Sequence, residues 1–137
     1  MDAGEALNFI AQHRRGVLAT RRRSGGIQLS PVSPGVDAAG RVIITSREEA
    51  YKIKNLRRDP RASLCVFTDA FHGLGWVQID GRAEILSLPE AMEPLIDWQR
   101  RVKGEHRDWE EYRRTMETQR RVLLRILVEH AGPDKKG

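Results

Sequence analysis

Hydrophobic and polar positions along this chain change period several times, and each change marks an element. Ala6, Phe9 and Ile10 recur at helical spacing, so the first dozen residues read as a short amphipathic helix. Residues 16–22 (GVLATRR) then read as a strand, and Ser24, Gly25 and Gly26 form a turn signal. The stretch IQLSPVSPGV reads as the antiparallel return. Pro31 and Pro34 lack the N–H that a ladder needs, so this return strand lies at an edge or leaves the ladder where they sit. A turn at residues 37–40 leads into a third strand, RVIIT, at residues 41–45.

The pattern then becomes helical. Ser46, with Glu49 three residues later, matches a capping box, and Ala50, Ile53 and Leu56 form a narrow apolar stripe behind it. At about 100° per residue, Tyr51, Lys54, Asn55 and Arg58 point roughly the other way. Asp59 precedes Pro60, and a residue before proline avoids helical dihedrals, so this helix ends there. RASLCVF follows as a buried strand. WVQIDGRAEIL, at residues 76–86, is the clearest strand, with Val77, Ile79, Ala83 and Ile85 on one face. Ser87 and Glu90 form a second capping box before a helix through Trp98, bent or delayed at Pro94. A third helix carries Trp109, Tyr112 and Met116 on one side. RVLLRILVEH closes the chain as a strand with Val122, Leu124, Ile126 and Val128 inward. The result is about six strands with helices inserted late. Hairpins dominate the first half, which favours a mainly β, α+β fold: one antiparallel sheet closed into a small barrel.

Composition narrows the class. At 137 residues, the whole chain from 1 to 137 reads as one domain, with no fixed-period repeat and only the PDKKG tail as a low-complexity tract. A net charge of +5 suits an anionic partner without choosing among nucleic acid, a membrane surface and a phosphorylated cofactor. The single cysteine, Cys65, excludes an internal disulfide framework and fits a reducing compartment. No signal-peptide pattern opens the chain, and no stretch approaches the roughly 20 apolar residues of a membrane span, so the expected location is the cytoplasm.

Familiar catalytic signatures are missing. There is no glycine-rich phosphate loop, dinucleotide fingerprint or nucleophile elbow. The histidines, at positions 13, 72, 106 and 130, lack metal-ligand spacing, so they read as ordinary surface or core residues and no metal site is expected. Cys65 sits in an apolar strand and reads as a small buried thiol. What remains is positive charge near strand ends: Arg21 to Arg23, Arg47, and Lys52, Lys54, Arg57 and Arg58 on the short helix. Taken singly, each of these is as well explained as a solvated surface charge. A nucleic-acid surface would interleave aromatics for stacking, and only Tyr51 lies close by, so neither nucleic acid nor membrane is the expected partner.

The order VLATRRRSGGIQLSPVSPGVDAAGRVIITSREEAYKIKNLRRDPRASLCVF, followed by WVQIDGRAEIL, resembles the split β-barrel flavin and deazaflavin oxidoreductases, relatives of pyridoxamine phosphate oxidase. Within them it looks most similar to the actinobacterial branch that binds coenzyme F420. The likeness covers residues 9–86 well and the closing strand loosely. It implies a six-stranded split barrel and a homodimer with its cofactor in a groove between subunits. It further implies that Ser30, Pro31, Val32 and Ser33 border the ring through backbone groups, that Thr45, Ser46 and Arg47 meet the linker and phosphate, and that Lys52, Lys54 and Asn55 hold the phosphate end and anionic tail. Trp76, Val77 and Gln78 would reach the cofactor from the partner subunit. Glu48 and Glu49 at the helix start oppose an anion there, so the cationic side chains must outweigh them. The activity implied is hydride transfer between the cofactor and a small unsaturated substrate, with no catalytic residue standing out because the cofactor carries the chemistry. F420 brings a tail of carboxylates that Arg57, Arg58 and Arg21 to Arg23 suit, which favours it over FMN. An FMN enzyme of the same family and a non-catalytic cofactor-binding module are the alternatives. Residues 87–119 depart most from the family pattern, so the pocket wall they form is not readable.

Overall fold

The computed structural model describes residues 1–70, 72 and 75–133; residues 134–137, most of the PDKKG tract, lie outside the described residues. Along the chain run α1 (Ala3–Gln12), β1 (Gly16–Arg21), β2 (Ile27–Val32), β3 (Gly35–Val36), β4 (Val42–Arg47), α2 (Tyr51–Arg58), β5 (Arg61–Phe67), β6 (Trp76–Leu86), α3 (Met92–Val102), α4 (Trp109–Thr118) and β7 (Arg121–Gly132). All seven strands join one antiparallel sheet in the order β2-β1-β5-β6-β7-β4-β3, curled into a half-barrel.

Alternation along the strands produces two surfaces. The inner face buries Leu18, Leu64, Val66, Ile79, Leu124 and Ile126, and α1 and α2 pack onto it through Ala6, Ile10, Ile53 and Leu56. On the outer face of β4 and β7, Ile43 and Leu123 meet a second cluster from α3 and α4, built on Leu95, Ile96, Trp98, Tyr112 and Met116. There the Tyr112 hydroxyl donates to the Leu95 carbonyl at 2.9 Å, and burial pushes its pKa up to about 12. Among the described residues, the outer face of β2, β1, β5 and β6 carries no such layer. Ile27 is 45% exposed and Leu29 60% exposed.

Among the described residues the strand count is seven, not six, because IQLSPVSPGV is not one strand. Residues 27–32 pair with β1 at one edge of the sheet, whereas Gly35 and Val36 pair with β4 at the other. Pro34, which cannot donate to a ladder, sits in the crossover between them. Gly35 lets that crossover lie against α3, since a Cβ there would come within 2.9 Å of Val102 Cγ2. The sheet is therefore a curled strip with two edges, and the crossover bridges them.

Both expected capping boxes are absent. Pairing between β4 and β7 extends through Ser46↔Val122 and Arg47↔Arg121, so Ser46 is a buried strand residue. Helix α2 starts only at Tyr51, after Ala50, with no side-chain cap. Continuing the ladder satisfies more backbone groups than starting a helix four residues earlier would. Ser87 likewise caps nothing: α3 begins at Met92 after Ala91, and the Ser87 hydroxyl accepts a hydrogen bond from Arg57 Nη2 at 3.1 Å. Pro94 falls in the first turn of α3, where its missing N–H costs nothing. By contrast, α1 has a side-chain cap, with the Asp2 carboxylate accepting from the Glu5 N–H at 2.8 Å.

Candidate functional site

The end of β2 and the start of β1 face the middle of β4 across the crossover, and a cleft of about 520 Å³ opens between them. Its middle is apolar, formed by Val17, Pro31, Val32 and Phe67. Val17 and Pro31 are direct cross-strand partners, so both project to the same side. Trp98 of α3 supplies one wall. It is 5% exposed, and its indole N–H donates to the Ser33 carbonyl at 3.1 Å, which ties α3 to the crossover.

Charge in this cleft has one sign. Arg14, Arg15, Lys52 and Lys103 line it, and among the described residues no carboxylate does. Arg14 and Lys103 meet at one end, because the Arg14 guanidinium donates to the Val102 and Arg101 carbonyls where α3 finishes. Basic groups there also complement the helix C-terminus. Arg15 pairs with Asp69, both largely exposed. Lys52 stands at the other end beside Thr45.

Thr45 and Lys52 also line a second cleft of about 250 Å³, shared with Ser46, Arg47, Glu49 and Arg121. The register Arg47↔Arg121 brings two guanidinium groups together from strands distant in sequence. Burial lowers the Lys52 pKa, and the nearby Arg121 lowers it further. Burial likewise lowers Arg121, with Arg47 adding repulsion and Tyr112 and Glu49 partly offsetting it. The Thr45 hydroxyl is buried without a hydrogen-bond partner among the described residues. Arg121 continues into a third cleft of about 380 Å³, whose walls include Arg120, Glu48 and Glu117. Shared lining residues, Thr45 and Lys52 and then Arg121, link the three clefts into a groove in which cations recur, accompanied in the second and third by Glu49, Glu48 and Glu117.

The sequence-predicted site residues divide accordingly. Pro31, Val32, Ser33, Thr45, Ser46, Arg47 and Lys52 come together along the first two clefts. Ser30 pairs with Leu18 and its side chain lines none of the three. Lys54 is exposed, 5.7 Å above the Tyr51 ring, and also lines none. Asn55, expected on the outward side of α2, is instead 6% exposed; its amide donates to Thr20 Oγ1 at 3.1 Å, and its oxygen accepts from Arg58 at 3.2 Å. The narrow stripe read from sequence is therefore wider, with one polar member paired inside. Val77 lies at 1% exposure in the inner core of its own chain, whereas Trp76 and Gln78 face the uncovered outer surface, Gln78 donating to Asp80 at 3.0 Å.

Arg57 and Arg58 also differ from expectation. Arg57 grips Glu48 with contacts of 2.6 and 2.8 Å from one nitrogen, and Arg58 donates to the Arg21 carbonyl. Both are engaged by this chain and line none of the three clefts. The sequence reading missed Arg14, Arg15, Phe67, Trp98, Lys103 and Arg121. Arg14 and Arg15 adjoin the start of a strand, a position like those that singled out Arg21 and Arg47. Trp98, Lys103 and Arg121 had no local signal.

The sequence pattern of the pyridoxamine 5'-phosphate oxidase family matches residues 3–132. Among solved structures, a conserved hypothetical protein from Mycobacterium tuberculosis is 29% identical with a TM-score of 0.77, over 96% of this chain and 82% of that one. A protein named F420 reductase is 17% identical with a TM-score of 0.70, over 91% of this chain and 94% of the other. An FAD-binding protein from Mesorhizobium loti is 21% identical with a TM-score of 0.63, over 96% and 92%. The last two likenesses establish the fold alone. With the half-barrel, its bridged edges and the match along nearly the whole chain, this protein belongs to the pyridoxamine 5'-phosphate oxidase family.

Proposed function

We propose that this chain is an oxidoreductase that holds coenzyme F420 along the groove and transfers a hydride between it and a small unsaturated organic molecule. The observation that carries this reading is the sign of the charge: among the described residues four cations and no carboxylate line the main cleft around its apolar middle, and it leads past Lys52 to Arg47 and Arg121, with Glu49 the one acid beside them. Two features fit a phosphate at the junction. Lys52 is a half-buried ammonium whose charge the site disfavours, and an anion would relieve that. The Thr45 hydroxyl beside it has a hydrogen bond to give. Edge strand β2 leaves one side of its backbone unpaired, so residues 30–33 can meet the rim of a planar heterocycle. The Ser33 carbonyl already serves Trp98.

When bound, the cofactor supplies the two-electron chemistry. The chain's own residues orient it, with Trp98 and Phe67 as apolar walls and Lys52, Arg47 and Arg121 as anchors. A hydride added to one carbon of a double bond needs a proton on the other, and solvent at the open cleft can provide it.

F420 over FMN is supported differently from the sequence argument, since Arg57 and Arg58 are engaged elsewhere. Support now comes from Arg47, Arg121 and Arg120 lying beyond Lys52, farther than a single phosphate requires, with Glu48, Glu49 and Glu117 lining the same two clefts and offsetting part of their charge. We also propose a homodimer through the uncovered outer face, which would bring the partner's Trp76, Gln78 and Val77 backbone toward the cleft. Titration of the purified protein with F420 and with FMN is the test. F420 should bind more tightly and, once reduced, be consumed when an acceptor is added. Tighter binding of FMN would replace F420 with the flavin, and reduced cofactor that persists with every acceptor would leave only a binding module.

A further inference from the structure

The two ends of the main cleft are not equivalent. Lys52 adjoins the second cleft, with Arg47 and Arg121 beyond it. The opposite end closes on the last turn of α3 and the α1–β1 junction, where Arg14, Arg15 and Lys103 gather. If an anionic cofactor takes the Lys52 end, as the reading above holds, this second cationic end remains for something else.

Each group at that end has a measurable degree of commitment. Arg15 is paired with Asp69, though both are exposed and the pair is correspondingly weak. Arg14 uses two nitrogens on the α3 carbonyls, and a guanidinium has five N–H donors, so capacity is left. Lys103 has no carboxylate partner among the described residues; its ammonium lies 5.8 Å from the centre of the Trp98 ring. Trp98 itself is held by its bond to Ser33 and by burial, so it presents a fixed aromatic wall. Pro31, Val17 and Phe67 complete an apolar surface beside it.

We propose that the α3 end of the cleft is the substrate subsite and takes a flat, conjugated carboxylate. The carboxylate is held by Lys103 and the remaining Arg14 donors, and the planar body lies along Trp98. Lys103 is then the residue that sets specificity for acids over neutral analogues, since a carboxylate gains a charge-assisted bond there that an amide does not. The helical segment that sequence alone could not interpret thus serves as the substrate wall.

The test uses trans-cinnamate and its neutral isostere cinnamamide as probes, read by quenching of tryptophan fluorescence in the chain alone and again with F420 bound. Cinnamate should bind more tightly than cinnamamide. Lys103→Gln should weaken cinnamate about five- to tenfold, leave cinnamamide unchanged and leave F420 affinity within about twofold, as expected for loss of one partly exposed charge pair. Lys52→Gln should do the reverse. Equal binding of the two probes to the wild-type chain overturns the proposal. So does a Lys103→Gln variant that loses F420 but not cinnamate, which would assign this end to the cofactor's carboxylate tail. Cinnamate binding that depends on Lys103 in a protein that binds neither F420 nor FMN would keep the subsite and refute the cofactor reading instead.

Discussion

The two halves of the outer sheet surface obey the same rule and meet different fates. On β4 and β7, outward Ile43 and Leu123 lie at 1% and 0% exposure beneath α3 and α4. On β2, outward Ile27 and Leu29 stand at 45% and 60%. An antiparallel sheet with one solvated face normally alternates apolar and polar residues, yet here apolar side chains point outward on both halves. A sheet face of that kind calls for a second layer. Residues 87–120 supply it for one half, and through Trp98 the same layer also walls the cleft. For the other half the described residues supply nothing, which is why a second copy is the cover we propose.

The strongest way to break this comparison is to empty the covered side. Leu95→Ala removes a side chain with 0% exposure and should cost about 2–5 kcal/mol in urea unfolding. A loss below about 1 kcal/mol would mean that α3 is no structural layer. On the uncovered side, a double Ile27→Ser, Leu29→Ser change should spare the fold but weaken association by about 2–4 kcal/mol, given the usual value of burying such side chains. Light scattering at micromolar concentration should then fall from twice the 15.6 kDa chain mass to that mass itself. A wild-type protein already monomeric there removes the proposed cover.

A third change separates the groove from both faces. Lys52→Met should lower affinity for the cofactor by about 1.5–3 kcal/mol, the range for a hydrogen bond to a charged group. Stability should move the other way, with a rise in Tm of roughly 1–3 °C, because a desolvated cation is removed. The sign also follows from pH. Lys52 titrates below its ordinary 10.5 in the folded chain, so the unfolded chain holds the extra proton and wild-type stability gains as pH rises toward 10.5. The variant should lack that gain, and an identical pH profile would argue against the strained ammonium.

The smallest effect sharpens the covered side. Tyr112→Phe deletes the bond to Leu95 and should cost about 0.5–1.5 kcal/mol. Because the folded tyrosine pKa is raised from 10 to about 12, its neutral form adds stability that is complete below pH 10 and lost as pH climbs toward 12. Wild type should therefore weaken over that range more than the variant. Parallel decline in the two proteins would show that the hydroxyl is not shielded as described.

Reading the chain by pattern worked where the determining interactions are local. The alternation of residues 76–86 coincides with β6, and the Asp59-Pro60 stop coincides with the end of α2. The prolines of IQLSPVSPGV were readable as an edge signal, and β2 is indeed at an edge. Where pattern failed, a distant partner had intervened. Ser46 looks like a helix cap to its sequence neighbours, but Val122 draws it into the β4–β7 ladder. Asn55 looks solvent-facing on a helical wheel, but Thr20 receives its amide inside the core. Arg57 looks available to an anion, but Glu48 holds it.

The division has a physical cause. Periodicity, turn residues and proline act within a few positions, so the sequence by itself determined which segments become strands and helices, the antiparallel β-rich character of the fold, and a surplus of cations near strand ends. Which strands form the two edges of the sheet, which arginines stay unpaired, and which wall faces Pro31 depend on residues far apart in the chain meeting through packing. Tertiary structure alone set Arg121 beside Arg47, left the Thr45 hydroxyl between two clefts with no hydrogen-bond partner among the described residues, and swung α3 across so that Trp98 could bond Ser33.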